Sequence, residues 1–246
     1  MFPIRDHNPS GRTPFVTWAL MAINIAIFVS YWPLAGDDRA LMFFFYEWGM
    51  TPALVREQGT WGTLFTSMFL HGGWMHLAGN MLFLWVFGDN LEDEMGHLRY
   101  LGFYIGCGLA AALAQLLSEP ASAVPTVGAS GAIAGVMGGY LLLFPRARVD
   151  VLIIIVIFFR VLPIPAWIML GLWFALQLVG GVGTPPGAGG VAYWAHAGGF
   201  VAGVLLTLPL FLRLGGPRYW QRNDGQPPHP EAVYARSNIP RVRRKR

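Results

Sequence analysis

The chain has 246 residues, 54% hydrophobic and 14% aromatic but only 12% charged, with a mean hydropathy of +0.47. A soluble domain carries about 25% charged residues, so this composition excludes an ordinary soluble enzyme, and the gathering of apolar residues into long blocks indicates a polytopic membrane protein. The formal charge is +4, and the single cysteine, Cys107, lies inside an apolar block, which excludes an intrachain disulfide and a cysteine metal site.

Residues 1–14, with Arg5, Asp6, His7 and Pro9-Ser10-Gly11, read as a cytoplasmic segment leading into a true span rather than a cleavable signal peptide. Six blocks follow at 15–33, 66–88, 98–118, 127–144, 163–180 and 192–213, each near the roughly 20 residues needed to cross a hydrocarbon core. The expected fold class is therefore all-α, a six-helix membrane domain over 15–213. The connection 34–65 mixes Asp37, Asp38, Arg39, Glu47, Arg56 and Glu57 with Phe43, Phe44, Phe45 and Trp48, the pattern of an amphipathic segment lying at the interface. Residues 151–162 are apolar and β-branched but too short to cross, and Pro163 and Pro165 prevent fusion with the next block. A hydrophobic loop, or a buried approach to the fifth span, is expected there. From 214 onward, Gly215, Gly216, Pro217, Pro227, Pro228 and Pro230 precede the basic end Arg241-Val242-Arg243-Arg244-Lys245-Arg246. This composition predicts a disordered tail acting as a topology determinant, not a nucleic-acid contact.

Arg5, Arg12, Arg99, Arg146, Arg148, Arg213 and Arg218 all fall on one side if the span count is even, while 119–126 and 181–191 hold no lysine or arginine. Both termini are thus predicted cytoplasmic, and the short loops suit a bacterial inner membrane. The acidic run Asp89, Glu92, Asp93, Glu94 shares that side.

Polar residues inside lipid are costly and usually mark a working site. Spans two, four and six run inward from the outer face, and His71, His76, Ser130 and His196 all enter the membrane by roughly 5–15 Å at 1.5 Å per residue. A serine needs a base to become a nucleophile, and a histidine is the usual one. Gly131 and Gly135 on one span, and Gly199 and Gly203 on another, have the small-xxx-small spacing that lets helices approach closely. Ser130 and His196 are thereby expected to meet. No carboxylate lies at the right depth to orient His196, so a dyad is expected rather than a triad. His76 and Asn80 share a helical face and, with the Ser130 backbone N–H, are candidate oxyanion donors. The separate features have plainer explanations: back-bonded serines, structural histidines and generic glycine packing. Those explanations weaken when they must account for all the features at one depth. His71 and His76 are poorly spaced for one metal ion and no His-Glu-x-x-His element is present, so neither metal nor cofactor is expected.

The runs His71-Gly72-Gly73-Trp74-Met75-His76-Leu77-Ala78-Gly79-Asn80-Met81, Gly128-Ala129-Ser130-Gly131-Ala132 and Ala195-His196-Ala197-Gly198-Gly199-Phe200 closely resemble the rhomboid intramembrane serine proteases. The similarity extends over about residues 14–213 and includes Gly88-Asp89-Asn90-Leu91-Glu92-Asp93. The resemblance implies a six-helix bundle with a water-filled cavity open to the outside. It implies Ser130 as nucleophile, His196 as base, His76 and Asn80 as oxyanion-stabilising side chains, and His71 as a supporting histidine. The implied substrates are single-span membrane proteins, cut in the bilayer near the outer end of their helix. Two residues depart from the family pattern: Ala134, where many relatives carry an aromatic packed on the catalytic histidine, and Gly62 in Trp61-Gly62-Thr63, where many have Trp-Arg. A non-cleaving rhomboid-like binder would be expected to lack the serine or histidine. A transporter would need a charged relay and an inverted repeat, neither of which is evident.

Overall fold

In the computed structural model, residues 2–8, 10–155 and 158–229 are described; the basic end at 241–246 lies outside them. The chain begins with strand β1 (Phe2–Asp6) and enters α1 (Phe15–Tyr31), which continues as a 3-10 turn to Gly36. The mixed connection folds into three short helices: α2 (Asp38–Trp48), α3 (Pro52–Gln58) and α4 (Thr63–Thr66). Asp37 caps α2, accepting from the Arg39 and Ala40 amides at 2.9 and 3.1 Å. No α2 residue is buried and Phe43 is 67% exposed, as suits a helix lying along an interface.

The long helices follow: α5 (Trp74–Met95), α6 (His97–Ser118) and α7 (Ser130–Leu143). Next come strands β2 (Arg148–Ile155) and β3 (Phe158–Pro165), then α8 (Ala166–Gly183), α9 (Tyr193–Arg213) and the short α10 (Pro217–Asn223). Among the described residues, four helical stretches, Phe15–Gly36, α6, α8 and α9, are long and apolar enough to cross a membrane unaided. Of the other two expected spans, α7 has only 14 residues. α5 starts later than expected, because 67–69 form a 3-10 turn and 70–73 an irregular link, and it runs on through the acidic residues to Met95.

The all-α expectation needs a correction. Residues 151–155 and 158–162 are not a loop: β2 and β3 pair antiparallel and β1 pairs antiparallel with β2, giving a sheet of order β1-β2-β3. The β-branched residues that made this stretch unlike a helix are those that fit a pleated strand. Pro163 and Pro165 sit on β3 and Pro3 on β1, the two edge strands, where a missing N–H breaks no ladder. The expected tail is also structured at its start, since α10 buries Tyr219 and sets Trp220 against Phe211 at 4.8 Å.

The molecule has two distinct ends. At one, His7 N–H donates to the Arg148 carbonyl (3.1 Å), Arg146 N–H to Gly225 (2.8 Å) and Tyr219 Oη–H to Glu94 (3.0 Å). At the other, Gly187 N–H donates to Glu119 (3.1 Å). The N-terminal strand, the hairpin and residues 217–229 therefore gather at the same end.

α7 lies at the centre, with Gly131, Ala132, Ala134, Gly135, Val136, Gly138, Gly139 and Tyr140 all buried. A Cβ on Gly199 would overlap the Gly131 carbonyl oxygen, and one on Gly203 would overlap that of Gly135. The small-residue faces thus bring the α7 and α9 backbones into direct contact.

Candidate active site

The irregular chain ahead of α7 is pinned on both sides before it delivers Ser130. Met50 and Thr126 exchange backbone hydrogen bonds at 3.0 and 2.8 Å, and Gly128 N–H donates to the Ser67 carbonyl at 2.9 Å. Gly128 adopts φ +135°, a conformation side chains avoid, and a Cβ there would sit 2.9 Å from His76 Nε2 and 3.3 Å from Ser130 Oγ. Ser130 is the first residue of α7, so its backbone N–H has no intrahelical partner.

His196, in the first turn of α9, faces Ser130: its Nε2 lies 2.8 Å from Ser130 Oγ. Its Nδ1 lies 2.8 Å from Gln177 Oε1 on α8, and its ring packs against Trp173 of α8, with centroids 5.7 Å apart. Trp173 thus covers the imidazole from a different helix than Ala134 would have done.

His76 and Asn80 lie one turn apart on α5. Gly72 N–H donates to His76 Nδ1 at 3.3 Å, which leaves Nε2 as the N–H of the neutral ring, on the side of Gly128 and Ser130. Asn80 is buried and its Nδ2 has no hydrogen-bond partner among the described residues. His76, Asn80, Ser130 and His196 all line one cavity of about 540 Å³, which extends past Gln115 and Tyr193 towards Pro185. An unpaired buried amide costs about 1–3 kcal/mol; one lining a cavity beside a serine–histidine pair is suited to receive a developing oxyanion.

His71 occupies a different position. It is fully buried behind the cavity wall, its ring set at 65° to that of His76 with centroids 5.2 Å apart, and its backbone clamped by Tyr31 Oη at 2.7 Å. It buttresses His76 rather than facing the cavity. Among the described residues there is no group of His, Cys, Asp or Glu able to hold a metal ion.

The Rhomboid domain family matches residues 58–213, well over half of the chain. The chain belongs to the rhomboid family. It is 32% identical over 197 residues to "Rhomboid protein 1, mitochondrial" of Saccharomyces cerevisiae, covering 77% of this chain and 51% of that one. It is 34% identical over 159 residues to "Rhomboid protease GluP" of Bacillus subtilis (62% and 27%). "RHOMBOID-like protein 4" of Arabidopsis thaliana is 35% identical over 175 residues (70% and 40%). The chain thus spans about half the length of the yeast relative and less of the others.

Within this rhomboid domain the sequence reading missed three residues around His196. Gln177 and Trp173 approach His196 from α8, and Gln115 of α6 accepts from the Ala195 N–H (3.3 Å) at the start of α9, where a helix amide lacks an internal partner. The glutamines carried the same signal as Asn80, a polar side chain in an apolar block. Their partners lie on other helices, so no local spacing connected them.

Proposed function

We propose that this rhomboid-family chain is an intramembrane serine endopeptidase in which Ser130 attacks the scissile carbonyl while His196 Nε2 takes its proton. The observation that carries the reading is the 2.8 Å approach of Ser130 Oγ to His196 Nε2 inside a cavity that also presents the free Asn80 amide. As the tetrahedral intermediate forms, its oxygen takes hydrogen bonds from His76 Nε2–H, Asn80 Nδ2–H and the Ser130 backbone N–H. His196 then gives its proton to the departing amine, and a water molecule releases the acyl group from Ser130 by the same route.

The substrates are single-span membrane proteins cut near the outer face, and the membrane domain crosses six times. With 22 residues α5 extends about 33 Å, whereas the 14 residues of α7 extend only about 21 Å, short of the roughly 30 Å core. A short α7 with its far end among the cytoplasmic connections sets Ser130 below the outer surface, where the cavity gives it access to water. Both termini lie on the cytoplasmic side, and the short loops fit a bacterial inner membrane. Reading a helical peptide bond requires its local unwinding, so substrates carry small or helix-breaking residues there.

The test is co-reconstitution in liposomes with a single-span protein bearing such residues at its outer end. Wild type is expected to cut it at that end, and Ser130→Ala and His196→Ala to leave it intact. Undiminished cleavage by Ser130→Ala, or cutting only at the cytoplasmic end, would contradict the proposal.

A further inference from the structure

The contacts of His196 reach beyond the dyad. Gln177, itself only 8% exposed, sits in the later turns of α8 and makes two hydrogen bonds with opposite requirements. Its Nε2 lies 3.2 Å from the Trp173 carbonyl oxygen, one turn back on the same helix. A carbonyl only accepts, so the Gln177 nitrogen must point towards it and the oxygen towards His196. That oxygen, 2.8 Å from His196 Nδ1, can only accept in turn, so Nδ1 must carry the hydrogen. In a neutral imidazole the remaining nitrogen, Nε2, then holds a lone pair, and it is the one 2.8 Å from Ser130 Oγ. With the amide turned over, two carbonyl oxygens would face each other at Trp173. Nδ1 would have to accept, and Nε2–H would point at Ser130, leaving it without a base.

Resting on the serine–histidine reading above, we infer that Gln177 is the positioning residue of the site: anchored by the Trp173 carbonyl, it selects the His196 tautomer able to deprotonate Ser130. A neutral amide here takes the place that a carboxylate holds in a triad, at a depth where an ionised group would be costly. Both side chains that orient the base, Gln177 by its hydrogen bond and Trp173 by ring contact, come from α8. The base is therefore competent only while α8 is packed against α9.

The proposal is tested by cleavage kinetics of a single-span substrate, and by the rate of fluorophosphonate inactivation against pH, on full-length protein in detergent. Wild type is compared with Gln177→Leu, Gln177→Glu and Ser130→Ala. Among the described residues, the titratable groups facing His196 are His76 from α5 and Ser130 from α7. Tyr193 on its own helix and Glu119 beyond α6 line the outer cavity, while α6 and α8 otherwise offer the neutral Gln115 and Gln177. Gln177→Leu removes the acceptor and is expected to lower kcat about 10–100-fold with KM nearly unchanged, as losing a partner behind a histidine ligand does elsewhere. Gln177→Glu keeps the acceptor for Nδ1–H but loses the N–H given to the Trp173 carbonyl, so it is expected to recover only part of kcat, with the acidic limb of the profile moved up by about one pH unit because an adjacent carboxylate favours the imidazolium.

Wild-type kcat and an unmoved acidic limb in Gln177→Leu would overturn the assignment. Should Gln177→Leu prove unfolded by thermal scan, the limb of Gln177→Glu decides alone, and an unshifted limb overturns it. An inert wild type, or an active Ser130→Ala, would instead overturn the underlying serine–histidine reading, with Gln177 falling alongside.

Discussion

In the proposed mechanism, Asn80 and Gly128 supply what a list of nucleophile and base leaves out. Among the described residues the buried Asn80 Nδ2 has no hydrogen-bond partner, and in the proposed mechanism it is the oxyanion that receives its N–H. Asn80→Ala is expected to lower kcat by about 10²–10³ without abolishing cleavage, since one oxyanion donor is worth about that much; an unchanged kcat would remove Asn80 from the role. Gly128 is constrained twice, by its left-handed backbone and by the nearness of His76 and Ser130. Gly128→Ala should displace the His76 ring and cost at least tenfold in kcat, with a stability loss of about 1 kcal/mol from the strained backbone. Activity kinetics beside a thermal melt separate the two effects. These residues were legible in the sequence because polar groups and clustered glycines stand out against apolar blocks. Gln177 stood out equally, but its meaning depends on which helix it meets, and only the folded bundle supplies that.

Among the elements, the acidic end of α5, which the sequence placed only on the side of the basic residues, has a structural role. Glu92 is 1% exposed and receives the Val16 and Thr17 amides at 2.9 and 2.8 Å and the Thr17 hydroxyl at 2.7 Å. It therefore caps the N-terminus of α1 from a neighbouring helix, where a negative charge also suits the helix dipole. Asp93 accepts from Gly11 N–H (2.8 Å), and Asn90 donates to Asp6 (2.7 Å) and to the Asn8 carbonyl (2.9 Å). The run is a receptacle for residues 6–8 and 10–17. Glu92→Ala leaves helix amides unpaired and is expected to destabilise the protein by about 1–3 kcal/mol, read as a lower melting temperature in detergent; an unchanged melt would show that water replaces the cap. Among the described residues a helix overlaps each of the six hydropathy blocks, within a few residues at most ends, and four helical stretches are long and apolar enough to cross a membrane. The sheet was not: β2 finds one of its partners in β1, at the other end of the sequence, and a β-branched run by itself says only that a helix is disfavoured. The late start of α5 follows from Gly72-Gly73, which hydropathy averaging passes over.

The whole molecule ties its N-terminal strand, its hairpin and α10 together at one end, and that end contains a part-buried carboxyl, Asp6, and a buried one, Asp150, with opposed responses to pH. Burial, then the nearby Asp89, pushes Asp6 up from 3.8 to about 8. A carboxyl whose folded value is raised holds its proton more tightly when folded, so its contribution is complete below about 4 and is lost as pH rises through about 8. For Asp150 burial acts in the same direction, but hydrogen bonds from His7 and Arg5 outweigh it and hold the group below its ordinary value. Its contribution is present above about 4 and lost on acidification. The melting temperature in detergent is expected to decline from pH 5 to pH 9 and the decline to flatten in Asp6→Asn; an equal slope in both proteins would show that Asp6 is not the group responsible.

That end thus holds the bundle in register, while α5, α7, α8 and α9 bring the proposed catalytic groups together around the cavity. The measurement that tests this account most directly is mass-spectrometric mapping of a fluorophosphonate adduct on the detergent-solubilised protein. The account predicts modification of Ser130 in the wild type and its loss in His196→Ala. A folded wild type without an adduct on Ser130, or equal modification when His196 is gone, would contradict it.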